Sequence, residues 1–214
     1  MSSPSPYASL PDSYSRVAEE YARWIFDELK DKPLDRQLLD GLAERTQGKG
    51  VVCDLGCGPG QVARYLQERG AQVMGLDAAA GMITLARQLN PAIPFAQGNM
   101  LALTVPNSAW AGIAAFYSLI HIQRADMPQV LAELKRVLQP GGLLLLSFHI
   151  GDETIHLDEW WEKPVNLDFY FFQPAKMADF LTQAGFILEE TIEREPYPDI
   201  EHQSRRCYIL ARKP

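Results

Sequence analysis

The stretch Val51-Val52-Cys53-Asp54-Leu55-Gly56-Cys57-Gly58-Pro59-Gly60 decides the fold of this chain. Its first five residues are typical of a short buried strand, and its three glycines let the backbone turn sharply and approach a ligand closely. An amphipathic helix pattern follows from Pro59 to Arg69 and ends at Gly70. A strand, a glycine turn and a helix in this order predict a site for a nucleotide-like ligand.

Strand and helix patterns alternate on both sides of this stretch. Helices are predicted at 12–31, 33–45, 80–89, 125–138 and 174–184, and strands at 72–77, 92–97, 111–117, 143–149, 187–194 and 206–211. Alternation of this kind predicts an α/β fold with a parallel sheet and right-handed crossovers. The last two strands have only a loop between them, so they are expected to pair antiparallel at the sheet edge.

The residues around the turn distinguish between kinds of ligand. A dinucleotide fingerprint needs its third glycine at position 61, where this chain has Gln61. Asp54 ends the strand just before the turn, and a carboxylate there repels a diphosphate but suits a cationic amino or sulfonium group. S-adenosylmethionine carries both groups. The site of a nicotinamide dehydrogenase would instead need a glycine at position 61.

Four further segments make the chain resemble the class I S-adenosylmethionine-dependent methyltransferases. These are the strand 72–77 ending in Asp77, the segment 95–100, the strand and exit loop 110–122, and the turn 138–142 before the strand 143–148. The resemblance implies a Rossmann-like, doubly wound, seven-stranded, mostly parallel sheet with an antiparallel terminal strand pair and helices on both faces. It also implies S-adenosylmethionine as cofactor and S-adenosylhomocysteine as product.

The carboxyl ends of the strands supply the predicted cofactor site, because ligands of such sheets bind there. Asp77 can accept hydrogen bonds from both ribose hydroxyls, and Asn99 stands where the family often has an aspartate beside adenine. The predicted cofactor-binding residues are Tyr14, Asp54, Gly56, Gly58, Asp77, Met82, Asn99, Met100, Tyr117 and Ser118. Instead of binding the cofactor, Met82 could be a core contact, and Tyr14 and Tyr21 could anchor a packed helix.

The domain organisation is read from the composition of the flanking segments. Residues 1–11 are expected to be a disordered head, and residues 12–214 a single methyltransferase domain. Residues 12–46 are expected to form helices over the cofactor. Residues 150–173 form an insertion rich in aromatic residues, which is expected to act as a lid over a pocket for a small substrate; a dimer contact is the alternative.

His121 is the predicted catalytic base, since it follows the fourth strand and titrates near neutrality. The predicted substrate pocket consists of His149, Trp160, Trp161 and Tyr170. Either histidine could instead be a hydrogen-bonded loop residue. Arg205 and Arg206 are assigned to a solvated strand end. The three cysteines and four histidines show no zinc-ligand spacing, so neither a metal site nor a disulfide is assigned.

The charge composition indicates which kinds of partner the protein binds. The chain has 214 residues and a net charge of −7, with no basic stripe to follow a phosphate backbone. We therefore expect a cytoplasmic enzyme, monomeric or homodimeric, that methylates a small molecule and binds neither nucleic acid nor membrane. The alternatives are a methyltransferase of a protein or RNA target and a non-catalytic cofactor-binding protein on the same fold.

Overall fold

A computed structural model describes residues 6–214 as nine strands and six α-helices. The strands are β1 (Val51–Leu55), β2 (Gln72–Asp77), β3 (Phe95–Gln97), β4 (Trp110–Phe116), β5 (Leu138–His149), β6 (Thr154–Trp160), β7 (Lys163–Tyr170), β8 (Ile187–Arg194) and β9 (Arg206–Arg212). The helices are α1 (Leu10–Ile25), α2 (Pro33–Thr46), α3 (Gln61–Glu68), α4 (Ala80–Leu89), α5 (Met127–Val137) and α6 (Pro174–Gln183). Short 3-10 turns lie at Glu28–Asp31 and Leu119–His121.

Seven strands form the central sheet in the order β3-β2-β1-β4-β5-β9-β8. Strands β1 to β5 run parallel, and β9 runs antiparallel to both β5 and β8. The predicted fold class is thereby confirmed, including the antiparallel pair at the edge. The strand order reverses between β1 and β4, so a crevice opens beyond the carboxyl ends of these two strands.

Hydrophobic residues cover both faces of the sheet, as the near-continuous apolar pattern of buried parallel strands requires. One face buries Leu39 of α2, Leu66 of α3 and Ile83 of α4. The opposite face buries Leu131 of α5 and Leu181 of α6. The five helices therefore flank the sheet on two sides and leave the edge at the strand carboxyl ends to α1 and the loops.

The insertion between β5 and α6 folds as a hairpin of β6 and β7, a two-stranded sheet separate from the central one. Helix α1 lies between this hairpin and α4. The Asn166 backbone N–H donates to Ser13 Oγ at 3.0 Å, and Lys163 Nζ donates to the Arg16 carbonyl at 2.9 Å. The hairpin and α1 are thus fastened together across the carboxyl edge of the sheet.

Several element boundaries differ from the predicted ones. Helix α1 begins at Leu10 and ends at Ile25, so positions 10 and 11 of the predicted head are helical; residues 1–5 of that head lie outside the described residues. Helix α3 begins at Gln61 because Gly60 has a left-handed φ of 87°. Strand β5 begins at Leu138, which pairs with Trp110 ahead of a register shift. No helix within residues 6–214 is long and apolar enough to cross a membrane.

Candidate active site

Two adjoining cavities open at the carboxyl ends of β1, β2 and β4. The larger has a volume of about 510 Å³ and extends beneath the β6–β7 hairpin. The smaller has a volume of about 380 Å³ and includes the loop after β3. Gly56, Asp77 and Ser118 belong to the walls of both cavities. An elongated ligand that spans the two compartments would therefore pass directly over the glycine turn.

The glycine turn after β1 is held against β2. The backbone N–H groups of Gly56 and Cys57 donate to the Leu76 carbonyl at 2.7 and 3.1 Å. Gly56 and Gly58 have φ values of 72° and 50°, in the region that favours glycine. A Cβ built on Gly56 would overlap the Cβ of Ser118. Gly56 therefore needs glycine for both backbone conformation and space, and Gly58 for backbone conformation.

Asp77 stands at the boundary between the two compartments. Its Oδ2 accepts the Gly58 N–H at 2.9 Å, and its Oδ1 accepts the Ala79 N–H at 2.8 Å. Burial raises the pKa of this carboxyl, while the backbone donors act in the opposite direction. Each oxygen keeps a lone pair for a further donor. The position therefore matches its predicted role of accepting hydrogen bonds from two ribose hydroxyls.

The position of Asp54 corrects the prediction that its carboxylate faces the ligand. Its side chain does not reach the wall of either cavity; it is buried, and its Oδ2 accepts the Ala63 N–H at 2.9 Å in the first turn of α3. The carboxylate therefore joins the end of β1 to the start of α3, below the turn, instead of facing a ligand's cationic group. Burial is the main cause that raises the pKa of Asp54 to about 7.

The raised pKa of Asp54 predicts a pH dependence of stability. The ordinary pKa is 3.8, so between about pH 4 and pH 7 the unfolded carboxyl ionises while the folded one resists ionisation. The stability associated with this group is complete below pH 4 and is lost as pH rises through about 7. Asp54→Asn stays neutral and keeps an acceptor for Ala63. The free energy of unfolding of the cofactor-free protein is measured in urea at pH 5 and at pH 8. Between these two pH values the variant should lose roughly 2–4 kcal/mol less of it than wild type. Equal losses in the two proteins would contradict the raised pKa of Asp54.

Two buried polar atoms in the cavity wall have no hydrogen-bond partner among residues 6–214. These atoms are Ser118 Oγ and Gln61 Oε1. An unpaired buried acceptor or hydroxyl is costly, so their presence favours a polar ligand beside the turn. The amino acid portion of S-adenosylmethionine offers ammonium and carboxylate groups to such atoms. The site therefore fits this cofactor in its polar groups as well as in its glycine turn.

Tyr14 and His121 form a hydrogen-bonded pair in the larger cavity. Tyr14 Oη lies 2.7 Å from His121 Nε2, and His121 Nδ1 lies 2.8 Å from the Asp168 carbonyl oxygen. A carbonyl only accepts, so Nδ1 carries the hydrogen and Nε2 accepts from the tyrosine hydroxyl. Burial lowers the pKa of His121 to about 4. His121 is thus a neutral acceptor near pH 7; it belongs to the walls of both cavities, and its Nε2 is occupied by the Tyr14 hydroxyl.

Aromatic rings enclose the space next to this pair. The ring centroids of Tyr14, Tyr21 and Trp160 lie 5.7 to 6.1 Å apart, each pair edge to face. Three rings in this arrangement present electron-rich faces that attract a cation such as a sulfonium. Tyr21, for which the sequence offered only a possible role, therefore belongs to the same group of rings as Tyr14.

Two predicted pocket residues lie outside both cavity walls. Trp161 stacks behind Trp160 at 4.5 Å, in the turn of the hairpin. Tyr170 lies beside Asp168 and Arg124 instead of facing the cavity. Because side chains alternate along a strand, Phe169 and Phe171 take the inward positions in its place. The cavity wall is therefore aromatic, but Trp161 and Tyr170 do not belong to it.

The other predicted residues lie in the cavity walls. Met82, Tyr117 and His149 line the larger cavity, Asn99 lines the smaller one, and Met100 lines both. Asn99 Oδ1 accepts the Leu101 N–H at 2.9 Å, which turns the side chain within its own loop. The structure places these residues in the cavity walls, and their roles in binding stay predictions.

Charged residues that the sequence did not indicate form one end of the larger cavity. Lys32 Nζ lies 2.5 Å from Glu28 Oε2 and 3.5 Å from Glu201 Oε2. Arg206 Nε lies 3.1 Å from Glu201 Oε2. Arg206 is buried, which corrects its assignment to a solvated strand end; Arg205 is exposed as expected. Glu28 and Lys32 lie far in the sequence from Glu201 and Arg206, so the four residues form no local motif.

Comparisons with known proteins agree with this geometry. Residues 52–142 match a family described as "Methyltransferase domain". The malonyl-[acyl-carrier protein] O-methyltransferase of Serratia marcescens is 36% identical over 128 residues, which cover 57% of this chain and 49% of that protein. The chain spans about half the length of the curated relatives it matches.

Solved structures share the fold. The DhpI–SAH complex has a TM-score of 0.72 at 20% identity and covers 94% of both chains. The [4+2]-cyclase SpnF has a TM-score of 0.67 at 19% identity, covering 84% of this chain and 81% of that one. At such identities the likeness concerns the fold alone.

Proposed function

We propose that the protein is a class I S-adenosylmethionine-dependent methyltransferase that transfers a methyl group to a small-molecule acceptor by in-line displacement; its residues 52–142 match a family described as "Methyltransferase domain". One observation carries the proposal. The glycine turn, Asp77 and the Tyr14–His121 pair all face a single cavity, so the residues that suit the cofactor and those that suit an acceptor share one space.

The cofactor would lie across both compartments. Asn99 and Met100 border the smaller compartment, where they suit adenine, and Asp77 stands between the compartments, where it suits ribose. Ser118 and Gln61 would then receive the amino acid portion. When bound, the cofactor supplies a methyl group made electrophilic by the sulfonium. The chain's own work is mainly to position the acceptor in line with that methyl group.

The Tyr14–His121 pair would accept the proton that the acceptor loses. Tyr14 Oη would take up the acceptor's proton as the methyl group is transferred, and the tyrosine's own proton would pass to His121 Nε2. The hydrogen bond from His121 Nδ1 to the Asp168 carbonyl keeps Nε2 free to accept. A base within reach in this way typically adds about 10²–10⁴-fold in rate.

The cavity favours a small acceptor. Its volume of about 510 Å³ lies within the roughly 300–1,000 Å³ usual for small-molecule sites. Trp160 and Phe169 of the hairpin belong to its wall, which agrees with the lid proposed for residues 150–173. A net charge of −7 gives no support to a nucleic-acid target. We therefore rank a protein or RNA target, and a non-catalytic role, below a small molecule.

A carrier-linked acceptor is the second candidate. Relatives such as the one from Serratia marcescens are named for a malonyl group on an acyl-carrier protein. In this chain Trp24 and Ile200 border the cavity and are 69% and 45% exposed, so an apolar rim is available to a longer ligand.

The test is turnover. The protein is incubated with S-adenosylmethionine and fractions of a metabolite extract, with malonyl-[acyl-carrier protein] as a separate sample, and S-adenosylhomocysteine release is measured. Release with small-molecule fractions supports the first candidate, and release with the carrier protein alone supports the second. Binding of the cofactor with no release under any condition would favour a non-catalytic protein.

A further inference from the structure

The charged end of the larger cavity has a cation whose hydrogen-bonding capacity is only partly used. The Arg206 side chain is 3% exposed and lies in the cavity wall. Its Nη1 donates to the carbonyls of His202 at 2.8 Å and Ser204 at 2.6 Å. Its Nε has no hydrogen-bond partner among residues 6–214, because the contact with Glu201 lacks a suitable angle. Unmet donors on a buried guanidinium are costly and favour an anionic ligand.

The charges around Arg206 balance in number, three cations against three carboxylates, but the carboxylates are shared unequally. Glu201 is shared among Arg206, Arg194 and Lys32, and each of those ion pairs lies within 3.5 Å. Glu28 pairs with Lys32, and Asp35 pairs with Arg194. Arg206 therefore has only a share of one carboxylate.

His149 lies beside this cluster, opposite Arg206 in the register of β5 and β9. Burial is the main cause that lowers the pKa of His149 to about 3; the charge of Arg206 acts in the same direction and that of Glu201 in the opposite one.

Aromatic rings lie between this charged end and the Tyr14–His121 pair. Phe169 lies 4.7 Å from the His121 ring, and Phe171 stacks on His149 at 4.9 Å. Phe169 and Phe171 are two residues apart in extended chain, which corresponds to about 7 Å. Trp160 and Tyr117 complete an aromatic wall between the two ends. The space suits a flat, apolar body with a polar group at each end.

We propose that the acceptor is an aromatic carboxylic acid whose carboxylate binds Arg206 and Lys32, while its methyl-accepting group faces Tyr14 and His121. This proposal rests on the proposed function, since it assigns one part of the same cavity to the acceptor. Arg206 supplies the planar pair of donors that carboxylates prefer, and Lys32 supplies a second positive charge. Arg206 is then the residue that determines specificity for an acid.

The test compares acids with their neutral amides. The protein is first saturated with S-adenosylhomocysteine, and binding of 4-hydroxybenzoate against 4-hydroxybenzamide, and of 4-hydroxyphenylacetate against its amide, is measured by calorimetry or ligand-observed NMR. We expect at least one acid to bind about tenfold or more tightly than its amide. Equal binding of acids and amides, or no binding of any acid at millimolar concentration, would overturn the proposal.

Neighbouring residues provide matched controls. Arg206→Gln should remove the preference for acids, whereas Arg205→Gln, which changes an exposed arginine paired with Glu193, should keep it. Lys32→Met and the exposed Lys30→Met form a second pair, with the same expectation. Retention of the preference in Arg206→Gln and Lys32→Met would contradict the assigned site. Binding of S-adenosylhomocysteine serves as the folding check, and its failure in wild type would count against the proposed function, separately from the acid site.

Discussion

Replacing Asp77 by asparagine is expected to weaken S-adenosylhomocysteine binding by about 100-fold, or about 2.7 kcal/mol. The carboxylate accepts backbone N–H groups from Gly58 and Ala79 with its two oxygens. An amide of the same shape has one acceptor, so its NH2 group would face a backbone donor and disturb the turn. It would also lose one acceptor for the ribose hydroxyls. Calorimetric titration of the product into wild type and variant measures the effect.

The control for Asp77→Asn is Asp158→Asn. Asp158 lies on an exposed position of β6 and contributes to neither cavity wall, so its removal changes the net charge equally. We expect the control to bind the product as wild type does. Thermal unfolding of both variants identifies any loss of fold. A folded Asp77→Asn protein with unchanged affinity would remove Asp77 from the cofactor site.

Tyr14→Phe is expected to lower kcat by about 10²–10⁴-fold once an acceptor is found. The substitution removes the hydroxyl that links the cavity to His121 Nε2 and leaves the ring and its packing in place. His121→Ala should lower kcat to a similar extent, because the two residues act in one proton path. Cofactor affinity should change little in Tyr14→Phe. Steady-state kinetics with S-adenosylhomocysteine detection supplies the measurement.

Tyr170→Phe is the matched control for Tyr14→Phe, since it removes a hydroxyl from the hairpin outside the cavity wall. Activity should be near that of wild type. The pH profile gives a further check: His121 must be neutral to accept a proton, and its pKa of about 4 in the free protein places the acidic limb of kcat/KM near pH 4 instead of 6.5. An unchanged kcat in Tyr14→Phe would mean that the methylated group needs no base, as with a carboxylate.

The features that the sequence predicted well are those carried by short local patterns. The strand before Gly56 and the strand ending in Asp77 bring their ends to one edge of the sheet, as the parallel topology requires. The resemblance drawn from these segments agrees with the match of residues 52–142 to a family described as "Methyltransferase domain". The sequence placed Asp54 in the correct strand. The direction in which its carboxylate points is set by the hydrogen bond from the Ala63 N–H of α3, which forms only in the folded protein.

The site residues were predicted wrongly where the tertiary structure decides the direction in which a side chain points. The register of the β6–β7 hairpin turns Tyr170 away from the cavity and Phe169 towards it, and no composition rule gives that register. The charged end of the cavity combines Lys32 with Arg206, which lie at opposite ends of the chain. Residues that meet only through the fold have no spacing signal that a reading of one sequence can detect.

The most direct test of the central claim is calorimetric titration of the wild-type protein with S-adenosylmethionine. We expect saturable binding with one site per chain, and no comparable binding of a nicotinamide dinucleotide. Absence of S-adenosylmethionine binding to folded protein, or preferential binding of the dinucleotide, would contradict the assignment of the cavity at Gly56 and Asp77.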